Sequence, residues 1–187
     1  MPTPERTSIE AIVLAARELL ESQGDAGLTM QAVADRVGVR APSLYKRVRN
    51  RDDLVRIVAE ATIQDLGAQL HAVPVTADVG QDLIEFAHAV RAFAHTRPNA
   101  FRLIIGTGPV AVPPDLDLIT HALAPLFRIA ADLAGPEHAL DAARTLTAWA
   151  GGFITMELAG AFNLGGDVER AFDYGIAHLG RAFTAST

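Results

Sequence analysis

The sequence predicts an all-α protein of about nine helices, and three observations carry that reading. Apolar residues recur three and four apart in one segment after another. Glycines and prolines stand where those segments end. No segment keeps the strict alternation of a half-buried strand.

Taken in order, Ile9, Ile12, Val13, Ala16, Leu19 and Leu20 mark an amphipathic first helix. Thr7 followed by Glu10 has the form of a capping box at its start, and Gly24 ends it. A short helix is expected from Thr29, as N-cap, to Val37, closed by Gly38. A third begins around Pro42, whose missing N–H has no intrahelical partner in a first turn, and ends near Val48. The fourth starts after Asn50 and runs to about His71, before Val73-Pro74. Leu83, Phe86, Ala87, Val90 and Phe93 share one face of a helix over about Asp78–Thr96. Pro98 opens a short helix to about Ile105, and Gly106 to Pro114 reads as a loop. One helix is expected from about Asp115 to Ala134, and a long one from Pro136 to about Phe162. Past Gly165-Gly166, a last helix runs from Asp167 to Phe183.

The 187 residues, 50% of them hydrophobic, suffice for a packed core and argue against disorder. With no cysteine there is no disulfide framework, thiolate zinc site or cysteine nucleophile. Met1–Arg6 is polar, so no secretory leader is expected, and no apolar run of about 18 residues crosses a membrane. A cytoplasmic location is the expectation. The net charge of −6 argues at first sight against a nucleic-acid partner. Its distribution argues otherwise. Residues 1–60 hold nine Lys or Arg and nine Asp or Glu, whereas residues 61–187 hold seven and thirteen. Arg36, Arg40, Lys46, Arg47, Arg49 and Arg51 fall within residues 36–51 with no acid between them. Fields are screened within about 8–10 Å at cellular salt, so a local patch can meet phosphate whatever the net sign.

Two short helices joined by a tight glycine turn form the helix-turn-helix pattern. Its packing needs a small residue where the helices cross, a turn residue four later and an apolar anchor in the second helix. Ala34, Gly38 and Leu44 meet these needs, with Val33, Val37, Val39 and Val48 around them. The second helix then turns Arg40, Ser43 and Lys46 outward. A helix in the major groove reads base edges with its N-terminal residues, which makes Arg40, Ala41, Pro42 and Lys46 the candidates. Arg40 suits a guanine edge, whereas Ala41 and Pro42 offer only apolar contact. Ser43 and Thr29 can donate to the phosphate backbone from helix N-termini.

The stretch from Val39 to Leu54 resembles the recognition helix and following turn of the TetR family of transcriptional regulators, and Leu28 to Ala34 resembles that family's second helix. The likeness runs without a gap over about residues 9–56. It implies that Tyr45 contacts phosphate, that Gln31 faces DNA, and that Arg47 and Arg51 keep phosphate-binding donors where the family has histidine and lysine. It implies a DNA-binding domain over residues 1–52, with its first helix at 7–23 and the helix-turn-helix at 28–48. Residues 53–187 would then bind an effector and dimerise, pairing the helices at about 136–162 and 167–183 across a two-fold axis.

Gly151, Gly152 and Gly160 are read as lying within the first of these helices, a cost usually offset by close helix approach. Ala159, Phe172, Ile176, Leu179 and Phe183 form an apolar stripe that suits a dimer face or an intramolecular core alike. The segment Trp149 to Leu158 resembles the Trp-x-His-Gly signature of one branch of the family, with Gly151 at the histidine position. For an effector pocket the chain offers Phe86, Phe93, Phe101, Trp149, Phe153 and Met156, with His88, His121 and Thr155 as sparse polar groups. That inventory suits a small, mostly apolar ligand.

Catalysis finds no footing. His88 and His95 lie seven apart with no acid at metal-ligand spacing beside them, and no nucleophile motif or phosphate-cradling loop occurs. No metal, cofactor or enzymatic activity is expected. The chain reads as a TetR-like regulator, a repressor that binds palindromic double-stranded operator DNA as a homodimer and is released by a small lipophilic effector. Two rivals are a sequence-indifferent DNA-binding protein and a small-molecule-binding protein with a vestigial DNA domain.

Overall fold

The structure, a computed structural model, describes residues 8–106 and 113–184. Among these residues the chain forms ten α-helices and one 3-10 turn, and no strand. The helices are α1 (Ile9–Gln23), α2 (Met30–Val37), α3 (Ala41–Leu44), α4 (Arg51–His71), α5 (Val79–Thr96), α6 (Pro98–Ile105), α7 (Leu116–Ala122), α8 (Ala124–Ala134), α9 (Ala139–Leu158) and α10 (Val168–Thr184). The 3-10 turn, Asp25–Gly27, lies between α1 and α2.

Capping chemistry sets most boundaries. Ser8 Oγ accepts from the Ala11 amide at 3.2 Å and is the N-cap of α1. Thr7, expected in that role, lies outside the described residues, as do residues 107–112 of the expected proline-rich loop. Thr29 Oγ1 caps α2 through the Ala32 amide at 3.1 Å. Asn50 Oδ1 accepts from the Asp53 amide at 2.9 Å and starts α4.

Three expected helices differ from those observed. The third ends at Leu44 rather than Val48, and residues 45–47 continue as turn. The expected single helix over Asp115–Ala134 is two, α7 and α8, broken at Leu123 because Pro125 occupies the first turn of α8 and has no N–H to continue the earlier ladder. The expected helix over 136–162 spans only Ala139–Leu158, and Gly160 lies past its end with φ +66°. The close-packing argument therefore does not reach Gly160, and around Gly152 a Cβ would meet nothing within 4 Å. The tight approach is elsewhere, at Gly175 of α10, where an added Cβ would overlap the indole of Trp149.

By contact the chain forms two compact units. The first comprises the described residues up to Gln64 together with those of Arg97–Ile119. Its core joins α1, α2, α3, the first turns of α4 and α6 through Ile12, Ala16, Leu20, Val33, Leu44, Leu54, Val58 and Ala100. Glu21 of α1 holds α6 by accepting the Asn99 and Ala100 amides at 3.2 and 2.8 Å. The second comprises Asp65–Thr96 and the described residues from Thr120 onward. There α8 packs against α9, and α5 against α8, α9 and α10. Phe172 and Ile176 of the expected apolar stripe are fully buried as intramolecular core in this unit, whereas Leu179 and Phe183 are half-buried and Ala159 is exposed. Residue 52, the expected domain boundary, lies in the first turn of the unbroken α4.

Candidate nucleic-acid interface

The helix-turn-helix turns on one backbone position. Gly38 takes φ +77° and ψ 36°, a left-handed conformation that costs glycine nothing and any other residue a clash. Its N–H closes α2 on Asp35 O at 3.1 Å, and the next amide, of Val39, reaches Ala34 O at 2.9 Å. This pair of bonds is the end motif that stops a helix and redirects the chain. Arg40 in extended conformation then begins α3, with Pro42 in its first turn. Leu44 anchors the short helix: it is fully buried, with Val33, Ala34 and Val48.

With that side buried, the other side of α3 faces outward. Thr29, Gln31, Arg40, Pro42, Tyr45, Lys46, Arg47 and Arg51 are exposed, and Ala41 and Ser43 half-exposed. Tyr45 is 53% exposed, a large aromatic left on the surface beside the recognition helix. Gln31 is held along α2, its amide donating to Asp35 Oδ1 at 2.7 Å. Arg51 turns back on the chain: Nε donates to Leu28 O at 3.0 Å and Nη2 to Asp25 O at 2.9 Å, with Asp25 Oδ1 at 2.8 Å.

The basic stretch is less positive in space than in sequence. Glu18 reaches Arg36 at 2.5 Å, Asp25 reaches Arg51, and Asp53 stands 3.6 Å from Arg49. All three acids lie outside residues 36–51, so a charge count within that window misses them. Among the described residues, the side chains of Arg40 and Lys46 have no hydrogen-bond or ion-pair partner. Arg40 is the N-cap of α3, and Lys46 lies in the turn just past its end.

Asp53 closes the turn from α3 to α4. Its Oδ2 accepts from the Arg49 amide at 3.0 Å and its Oδ1 from Arg56 at 2.7 Å. The Arg49 amide first, and then Arg56, hold its carboxyl down from 3.8 to about 2. A lowered folded value means stability present above the ordinary carboxylate range and lost as pH falls toward 2. We predict that Asp53→Ala lowers stability by about 1–2 kcal/mol at neutral pH, a loss of cap and ion pair together. In chemical unfolding at pH 7, 4 and 2.5, the gap from the parent protein should shrink as pH falls; a constant gap would refute the assignment.

The six aromatic and methionine positions expected around an effector are divided between the two units. Phe101, fully buried, belongs to α6 in the first unit, and the other five to the second. Phe86 lines a cavity of about 260 Å³ with Leu70, His71, Pro125, Arg128 and Ile129. His71 stacks on His121, ring centroids 4.8 Å apart. Trp149 stacks on Phe172 at 5.3 Å, Phe153 meets both rings tilted or edge-on at 5.3–5.4 Å, and Phe162 joins them through Phe153 at 4.7 Å. Phe93 is buried, whereas Met156 is 48% exposed. Thr155 is occupied, its hydroxyl donating to Gly151 O at 2.6 Å.

One polar group was not legible by spacing. Glu157 of α9 receives Arg91 of α5 at 2.9 and 2.5 Å, and His95 approaches it at 3.2 Å. Arg91 also lies over the Phe172 ring, 5.3 Å from its centroid. Its guanidinium holds the Glu157 carboxyl below the ordinary range. His88 pairs separately with Asp173 of α10 at 2.8 Å. Each histidine of α5 thus has a carboxylate after all, supplied by a different helix. No group of three or more metal-ligating side chains exists among the described residues. No helix among them is long and apolar enough to cross a membrane.

Two family descriptions match this chain. Bacterial regulatory proteins of the tetR family match residues 6–58, and the tetracyclin repressor-like C-terminal domain matches residues 83–179. An HTH-type transcriptional regulator of Mycobacterium tuberculosis, Rv0681, is 28% identical over 162 residues, 86% of this chain and 74% of that one. The class E tetracycline repressor of Escherichia coli is 31% identical over 112 residues, and the match spans 60% of this chain and about half, 52%, of that repressor. Among solved structures, the regulatory protein SCO4313 superposes with TM-score 0.77 at 28% identity, covering 95% of this chain and 98% of that one. These relatives are regulators rather than enzymes.

Proposed function

Because the chain belongs to the TetR family of bacterial regulatory proteins, we propose that it represses transcription by holding a near-palindromic operator as a homodimer until a small, mostly apolar effector releases it. The observation that carries this reading is the outer side of α3. Arg40, its N-cap, and Lys46, in the turn just past its end, flank it exposed and unpaired among the described residues, and Leu44 locks the inner side. Arg40, with Ala41, Pro42 and Lys46, reads base edges in the major groove. Thr29, Gln31, Ser43, Tyr45 and Arg47 hold the flanking backbone and set register. Two copies are needed because one small module makes too few contacts for operator affinity.

The dimer is assigned to α9 and α10. Met156, Phe162, Leu164 and Tyr174 are large apolar or aromatic side chains left exposed on or between those helices. The effector is assigned to the cavity beside Phe86, whose lining is mostly apolar with His71 and Arg128 as its polar groups. Leu70 and His71 of that lining end the same helix that follows the recognition turn. An effector that prefers an arrangement of α4 other than the operator-bound one must weaken operator binding reciprocally. A tetracycline repressor is among the relatives; the repressor role, but not its ligand, is carried to this chain.

Selection of bound duplexes from a random pool, at two salt concentrations, tests the reading. A near-palindromic consensus that survives raised salt is the expected result. Binding without enrichment, fading with salt, would replace it with a sequence-indifferent protein. Binding to no duplex at all would leave the vestigial-domain alternative.

A further inference from the structure

We infer that Arg51 is a positioning residue: it fixes the approach to α2, and with it the DNA-facing residues Thr29 and Gln31, rather than contacting phosphate. For its DNA arm this inference rests on the regulator reading above.

Arg51 is the first residue of α4, yet its side chain serves the turn between α1 and α2. Three acceptors converge on two of its nitrogens: Leu28 O on Nε at 3.0 Å, and Asp25 O and Oδ1 on Nη2 at 2.9 and 2.8 Å. A planar guanidinium can satisfy such a set at once, because its donors are fixed in a fork. The two carbonyls bracket the 3-10 turn. Asp25 O also takes the Leu28 amide at 3.1 Å, so Arg51 completes the acceptor that closes the turn. Leu28 is fully buried and immediately precedes Thr29, the N-cap of α2. Its carbonyl would otherwise be left at a chain reversal with no helical donor. Since Asn50 accepts from the Asp53 amide and Asp53 from the Arg49 amide at the start of α4, the guanidinium ties the approach to α2 to a point held by side chains on both sides. Arg40 and Lys46, by contrast, have no such partners and remain available to DNA.

A phosphate contact and a positioning bridge leave different marks. Each phosphate neutralised adds about 0.9 to the slope of log affinity against log salt. A bridge that aims neighbouring groups changes affinity without changing that count. For Arg51→Ala we expect roughly tenfold weaker binding to a duplex selected by the parent protein, with an unchanged salt slope. Asp25→Ala should also weaken binding, about threefold, although it removes a negative charge near DNA. A slope that falls by about one in Arg51→Ala, or tighter binding by Asp25→Ala, would overturn the inference in favour of a phosphate contact. Unchanged affinity in both variants would also overturn it, leaving a merely structural role.

Amide hydrogen exchange decides the matter without DNA. The Leu28, Ala32 and Val33 amides bond within the turn and the capped start of α2. They should exchange at least about tenfold faster in Arg51→Ala while α10 is unaffected. Unchanged protection there overturns the inference, whatever the fate of the regulator reading. Should Arg51→Ala fail to fold, the same exchange measurement on Asp25→Ala serves, with a smaller acceleration expected.

Discussion

Replacing Arg40 and Lys46 together by alanine is expected to weaken operator binding by two to three orders of magnitude. A good base-edge contact discriminates by about 1–3 kcal/mol, and each charge that meets phosphate adds its own share of released counterions. The two residues are singled out by what surrounds them. Arg36, Arg49 and Arg51 spend their charge on Glu18, Asp53 and Asp25, whereas Arg40 and Lys46 have no partner among the described residues. The single variants separate the roles. Arg40→Ala should lose discrimination at one base pair of each half-site, and Lys46→Ala should lose affinity across sequences as well. Anisotropy titrations against the selected duplex and single-base variants of it measure both. If the double variant binds within threefold of the parent, α3 is not the reading element. Stability should not change, since neither side chain touches the core.

Glu157→Ala is expected to carry the largest stability effect away from that surface. It strips the hydrogen-bonded carboxylate from Arg91, whose side chain is only 15% exposed, and leaves the cation over the Phe172 ring with only the more distant charges of Glu169 and Asp173. Breaking a fully buried pair costs about 3–5 kcal/mol. For a partly buried one we expect about 2–3 kcal/mol, or a drop in Tm of roughly 5–10 °C at this chain length. Glu157→Gln keeps one acceptor and should lose less. Because Arg91 lowers the Glu157 carboxyl, the pair's contribution is present above the ordinary glutamate range and lost as pH falls below it. The melting temperatures of parent and Glu157→Gln should therefore converge on acidification below about pH 4. A melting curve for Glu157→Ala that overlays the parent's at pH 7 would show that the pair is incidental.

What the sequence reveals of this protein is what local chemistry decides. Thr29, Gly38 and Pro42 mark their helix boundaries through caps, a left-handed turn and a missing donor, and each effect acts within four residues. The break at Leu123 has the same local cause, since Pro125 demands a new first turn, yet the expectation of one helix over Asp115–Ala134 passed over it. The unwinding after Leu44 was not legible. Nothing in Tyr45-Lys46-Arg47 forbids a helix, and the chain is redirected beyond it, where Asp53 of the next element takes the Arg49 amide. The exposed reading surface followed from Leu44 and Val48, whose burial orients everything else on α3. Its charge balance did not follow, since Glu18 and Asp25 meet Arg36 and Arg51 across 18 and 26 residues. The Arg91–Glu157 pair spans 66. Ion pairs of that reach exist only once the helices have packed. The effector positions were least legible, because aromatic residues at helical spacing look alike whether they line a cavity, as Phe86 does, or stack on each other, as Trp149 and Phe172 do.

The wedge of Trp149 against Gly175 has a practical consequence. The chain has one tryptophan, and its ring sits where α9 meets α10 with no Cβ between them. Emission excited at the red edge of indole absorption, where Tyr45 and Tyr174 contribute little, therefore comes from a single place in the chain, the seam of the two helices assigned to self-association. Any event that shifts that seam should change the colour or polarisation of that light without a label or an engineered probe.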